Sequence, residues 1–217
     1  MLSWVFQRGR CRGCKEPISG QYPLVELLGA FAAVGSYIRF GLTPSLIIVL
    51  PLVWVLIVVT FIDLHHKIIP DRITKPGATI GFLLGILAQY TGVFDCSAEQ
   101  LLCPVTQNAQ DSLIGGLLGS GFFYVIALGY EKFAGQEGLG LGDVKLLMMT
   151  GAILGVSSVV PTILFGSIIG AVVGILVMIA TGKGRKTEIP FGPFLAAGVL
   201  LYLFSDTANT MFFQLGQ

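Results

Sequence analysis

Residues 45–63 read SLIIVLPLVWVLIVVTFID, one uncharged run closed by a single acid, Asp63. As a helix, such a run comes close to the ~30 Å hydrocarbon thickness of a bilayer. A core helix of a soluble protein would interrupt it with a polar face, and nothing interrupts it before Asp63. Six more runs are predominantly apolar, at residues 24–40, 77–94, 111–133, 144–160, 162–181 and 191–204. Composition agrees: 54% of the 217 residues are hydrophobic and only 12% charged, where a soluble domain carries about a quarter. Mean hydropathy is +0.83. The expected fold class is therefore all-α, a polytopic membrane protein with about seven transmembrane helices. A net charge of +1 gives no reason to expect a nucleic-acid partner; membrane lipid is the expected surrounding.

The basic residues orient this bundle. With a cytoplasmic amino terminus, every lysine and arginine except Arg39 falls at an inner end or loop, as the positive-inside rule requires. Three parts are then expected: a cytoplasmic segment over 1–23, a transmembrane domain over 24–205, and a tail over 206–217 on the outer side. The opening MLSWVFQRGRCRGCKEP has no apolar core of signal-peptide length. Cys11 and Cys14 form a CxxC on the reducing side, which is half of a tetrahedral zinc set unless two more ligands join it. Two unligated thiols are the plainer alternative. Cys96 and Cys103 fall in an outer loop, where they are either a disulfide or two free thiols.

Two stretches put acids at the inner boundary. VVTFIDLHHKIIPDRITKPG, residues 58–77, carries Asp63 and Asp71; GLGLGDVKLLMMTGAILG, residues 138–155, sets alternating glycines before Asp143. Taken singly, Asp143 reads as the N-cap of its helix, and Asp71, after Pro70, as a turn or ion-pair residue. Asp63 is harder to explain by stability. It ends its helix, where an acid costs about 0.3–1 kcal/mol at exposed sites. As a pair at one depth, Asp63 and Asp143 suggest chemistry, because two close carboxyl groups do not both ionise easily. One then serves as base toward water while the other protonates a carbonyl oxygen or leaving amine. Gly140 and Gly142 would let a substrate backbone approach Asp143 closely.

These segments resemble the type IV prepilin peptidases, bacterial members of the membrane GxGD aspartic proteases. GLGLGDVKLL is similar to their GxGD signature at Gly140, Gly142 and Asp143, and IDLHHKIIPD to the segment of their first catalytic aspartate, which falls on Asp63. RGRCRGCKEPISGQYPLVELL resembles the end of their cysteine-rich domain, and KGRKTEIPFGPFLAAG, residues 183–198, their late loop and last helix. The resemblance implies a GxGD-type protease bundle in the bacterial cytoplasmic membrane. It implies catalysis by Asp63 and Asp143, a substrate approach at Gly140 and Gly142, and cleavage of prepilins and pseudopilins after a glycine. Proteolysis by such a dyad needs no cofactor. Family members also methylate the new amino terminus from S-adenosylmethionine. They begin with a further helix and an earlier CxxC, and four cysteines can bind zinc. Here the sequence starts just before the second CxxC, so a shortened form or a piece of the full architecture is expected. Glu131, Glu137 and Glu188 are candidates to attract a basic leader, against the alternative of solvated loop charges.

Two rivals belong to other classes. A proton-coupled transporter also uses intramembrane acids and glycine-broken helices, but the halves show no internal repeat. A zinc protease built on Asp63, His65 and His66 would lack an HExxH helix.

Overall fold

The computed structural model describes residues 4, 7, 9–94, 104–134, 140–181 and 189–205. Seven helices account for most of them: α1 (Gln21–Phe40), α2 (Pro44–His66), α3 (Asp71–Thr91), α4 (Ala109–Ala134), α5 (Leu141–Leu154), α6 (Val156–Thr181) and α7 (Gly192–Phe204). Each expected run finds its helix. Among the described residues there is no strand, only an isolated bridge between Arg10 and Pro17. Four helices, α1, α2, α4 and α6, are long and apolar enough to cross a membrane. The 14 residues of α5 and 13 of α7 rise only about 20 Å, short of the ~30 Å hydrocarbon core. Helix α3 is long enough but opens on Asp71, Arg72 and Lys75.

One boundary departs from expectation. The fifth and sixth runs, read as 144–160 and 162–181, divide at Gly155 instead of Pro161. Gly155 has φ +79 and its N–H bonds back to Gly151 O at 2.9 Å, a conformation a side chain disfavours. Asp111 Oδ1, from α4, then accepts the N–H of Val156 at 2.9 Å and so caps α6 across the fold. Pro161 simply sits inside α6.

The chain divides into two compact units, residues 1–57 and 58–217. The first holds an amino-terminal turn, α1 and α2 as far as Ile57. In it Trp4 Nε1 donates to Ile18 O and Trp54 Nε1 to Gly29 O, both at 3.1 Å. The second unit takes the end of α2 and helices α3 to α7. Its centre is α5, where Val144, Leu146, Leu147, Met149 and every residue from Thr150 to Leu154 are buried. A helix apolar all round needs neighbours on every side, and α3 and α4 supply most of them. Their glycines make this possible: a Cβ at Gly115 would run into the Gly151 carbonyl oxygen, and one at Gly81 would stop 2.7 Å from the Ala152 carbonyl carbon. Close backbone approach through small residues is how helices associate where lipid removes the hydrophobic drive. Helix α6 packs on α7 and leaves Leu164, Ile168, Val172 and Ile175 exposed, as a lipid-facing helix should.

Candidate active site

Asp63 lies in the last turn of α2, within the second unit. The helix runs one turn further than the apolar run, to His66, and closes when Lys67, at φ +52, donates its N–H to Asp63 O at 2.8 Å. The Asp63 side chain is 5% exposed. One backbone group meets it: Gly192 N–H donates to Asp63 Oδ2 at 3.1 Å. Among the described residues its carboxyl has no other hydrogen bond.

Asp143 comes from another helix of the unit, at the third position of α5. The expected capping role does not hold. Gly140 is the N-cap, it makes no side-chain cap bond, and the Asp143 N–H bonds back to Gly140 O at 3.0 Å. The capping position was misplaced because a Gly-Leu-Gly-Asp run leaves the first turn unmarked by any side chain that could accept a hydrogen bond. Asp143 is 7% exposed, and its carboxyl has no hydrogen-bond donor among the described residues. Among the described residues, the charged group that acts on it is Asp63. Two buried acids from different helices thus lie within electrostatic reach of each other.

Ile69 links their settings. It is buried in the short connection from α2 to α3. A Cβ at Gly142 would sit 2.9 Å from Ile69 Cβ, and one at Gly192 would sit 3.1 Å from Ile69 Cδ1 and 2.6 Å from Asp63 Oδ2. Gly142 is therefore needed for packing against Ile69. Gly140 stands apart: a Cβ there meets only Asp143 Oδ2, at an ordinary 3.5 Å, and the Gly142 nitrogen. Among the described residues, no side chain other than Asp143 itself meets that position.

The expectation for Asp71 as an ion-pair residue holds. It opens α3, takes Lys75 at 2.8 Å and reaches Lys145 at 2.5 Å. Those lysines, Lys145 first, hold its carboxyl below the usual carboxylate range. Since Lys145 follows Asp143 by one turn-half of α5, the pair ties the start of α3 to the start of the helix bearing Asp143. Sequence reading missed two participants, Gly192 and Ile69. The Gly-Pro at 192–193 was the available signal, a helix start beside an acid-bearing segment. Which acid it would meet was not in the spacing.

His65 and His66 are both exposed, and His65 Nδ1 is engaged with Phe61 O at 2.8 Å. No group of three metal-ligating side chains occurs among the described residues. Cys11 and Cys14 are free thiols in the amino-terminal turn, where Cys11 N–H donates to Glu16 O and Lys15 N–H to Cys11 O. Backbone N–H groups of Cys14 and Gly13 lower the Cys11 thiol. Cys96, Cys103, Glu137, Glu188 and the 206–217 tail lie outside the described residues, as does the Glu131 side chain.

The model of the type IV leader peptidase family matches residues 50–175, and that of the bacterial peptidase A24 N-terminal domain matches residues 1–40. The chain is 35% identical over 208 residues to the prepilin leader peptidase/N-methyltransferase of Aeromonas hydrophila, covering 95% of this chain and 66% of that protein. It is 36% identical to the protein of that name in Xanthomonas campestris, covering 95% and 67%, and 35% identical to that of Dichelobacter nodosus, covering 98% and 68%. It thus spans about two thirds of the length of these curated relatives. No solved structure matches. With a family model over more than half its length and relatives along nearly all of it, the chain belongs to the type IV leader peptidase family.

Proposed function

We propose that the chain is a membrane aspartic endopeptidase that removes the basic leader of type IV prepilins and pseudopilins after a glycine, with Asp63 and Asp143 as its catalytic pair. One observation carries this most: two buried carboxyl groups, from the end of α2 and the start of α5, have settings that share Ile69, against which both Gly142, next to Asp143, and Gly192, the partner of Asp63, pack. The relatives' printed name, prepilin leader peptidase/N-methyltransferase, supports the substrate class. In the proposed reaction one carboxylate takes a proton from water, whose oxygen attacks the scissile carbonyl carbon. The other carboxyl group gives its proton to the carbonyl oxygen. Collapse of the tetrahedral species breaks the C–N bond: the proton first taken from water goes to the leaving amine, and a hydroxyl proton returns to the second carboxylate as the C=O re-forms, which restores the pair. Gly140, which carries no side chain, would let the substrate backbone approach Asp143, while Gly142 admits Ile69 beside it.

The proposed setting is the bacterial cytoplasmic membrane with the amino terminus and both acids at the inner face, where a leader's basic residues remain in water. Methylation of the new amino terminus, from S-adenosylmethionine, is proposed as a second activity on the relatives' name alone. Zinc fits this chain's described residues poorly. Cys11 and Cys14 supply two thiolates of the four a structural site takes, and no third ligand accompanies them among those residues. No step is assigned to a metal.

Incubating the purified protein in lipid with a prepilin, followed by mass spectrometry, tests both activities together. Cleavage after the leader glycine that survives a chelator is the expected result, and an added 14 Da marks methylation. Ion movement with an intact prepilin would favour the transporter; cleavage abolished by the chelator would favour a metalloprotease.

A further inference from the structure

We propose that Gly192 is a positioning residue for the peptidase reaction: its backbone N–H holds Asp63 by Oδ2, leaving Oδ1 as the oxygen that faces water and substrate. The inference rests on the aspartic-peptidase assignment and assigns a role to the first residue of α7.

The amino end of α7 is built so that one donor remains, and Asp63 takes it. A helix start has several N–H groups without intrahelical partners. Here Phe194 and Leu195 both bond to Phe191 O, at 3.0 and 3.2 Å, and Pro193 has no N–H to offer. Gly192 is the remaining group, and its N–H donates to Asp63 Oδ2 at 3.1 Å. The segment presenting it is held by aromatic packing. Phe191 has its ring centroid 6.0 Å from that of Phe123 on α4 and 6.1 Å from that of Phe194. The residue itself must be glycine, since a Cβ would lie 2.6 Å from Asp63 Oδ2. Asp63 has no other hydrogen bond among the described residues, and of these contacts this one orients its carboxyl plane. A carboxyl group turned about its χ2 would present the wrong oxygen, and sub-ångström placement matters to proton transfer.

Two variants test this, with prepilin cleavage as readout. Replacing the Gly192 amide by an ester, through incorporation of glycolic acid at that position, removes the donor and adds no atom. Gly192→Ala pushes a methyl group at Oδ2. Each should lower kcat about 10- to 100-fold, with KM within about twofold of wild type because the substrate does not bind at this N–H. Gly121→Ala, where a Cβ meets nothing within 4 Å, is the matched control and should cut normally. A third variant separates packing from positioning. Ile69→Val removes Cδ1, the second atom a Gly192 methyl would meet, so combining it with Gly192→Ala should leave kcat low.

An ester variant that cuts at the wild-type kcat overturns the inference, as does a change confined to KM or recovery of kcat in the double variant. Failure of the aspartic-peptidase assignment looks different. In that case Asp63→Asn retains full cleavage with Gly192 intact, and the role of Gly192 falls with it.

Discussion

Asp71 illustrates how the acids of one short segment divide their work by environment. Asp63 is buried with one backbone donor, while Asp71, eight residues on in sequence, meets two lysines at 2.8 and 2.5 Å in partly open surroundings. Its side chain is 42% exposed, so the pairs are screened and their worth is modest. Lys145 and then Lys75 hold its carboxyl below the ordinary range. A carboxyl lowered by folding adds stability above its unfolded value, about 3.9, and loses it as the pH drops through its lower folded value. Asp71→Asn should therefore lower the melting temperature slightly at pH 7, and the gap from wild type should close as the pH falls below about 4. A gap that widened toward acid would show that the lysines do not act on Asp71. The pair could be expected from sequence only as far as an ion pair: Lys75, one helical turn on, was available, whereas Lys145 is distant in the chain and reaches Asp71 only once α3 and α5 pack. Gly192 stayed hidden for the same reason, 129 residues from its acceptor.

Helices follow the apolar runs closely because length and hydropathy alone select a spanning helix. Their ends follow less well, since those depend on partners elsewhere. Helix α6 starts five residues before the expected Pro161 boundary because Asp111 on α4 caps it from across the fold. Asp111→Ala removes that acceptor and should destabilise the protein by about 1 kcal/mol, within the 0.5–2 kcal/mol range of lost N-caps. Denaturant or thermal unfolding in a fixed detergent measures it, and an unchanged midpoint would mean that α6 needs no cap from α4. Packing between α4 and α5 gives a larger effect. Gly115→Ala drives a methyl group into the Gly151 carbonyl oxygen, and overpacking of this kind costs about 1–3 kcal/mol. The loss should appear in unfolding and in cleavage together, since α5 carries Asp143.

Across the whole chain, the parts read most securely are those where a local pattern and a long-range need coincide. The GxGD run is one in part: Asp143 opens the buried helix as its apolar run predicts, whereas the need for Gly142 to admit Ile69 was not in the spacing. The amino-terminal CxxC is the opposite case, a local pattern whose remaining ligands the described residues do not supply. Its exposure gives a test of orientation. In a variant keeping Cys14 as its sole cysteine, a membrane-impermeant maleimide should label inverted vesicles and leave right-side-out cells unlabelled; the reverse would invert the bundle. The pairing of Asp63 with Asp143 is what everything at the site depends on, and it can be measured directly. Purified wild type, Asp63→Asn and Asp143→Asn are each given a prepilin in lipid, and the initial rate of leader release is followed. Each variant should lose at least about 100-fold, the scale of a general acid or base, with melting temperatures near wild type. A variant of either residue that cuts at the wild-type rate would contradict the catalytic pair.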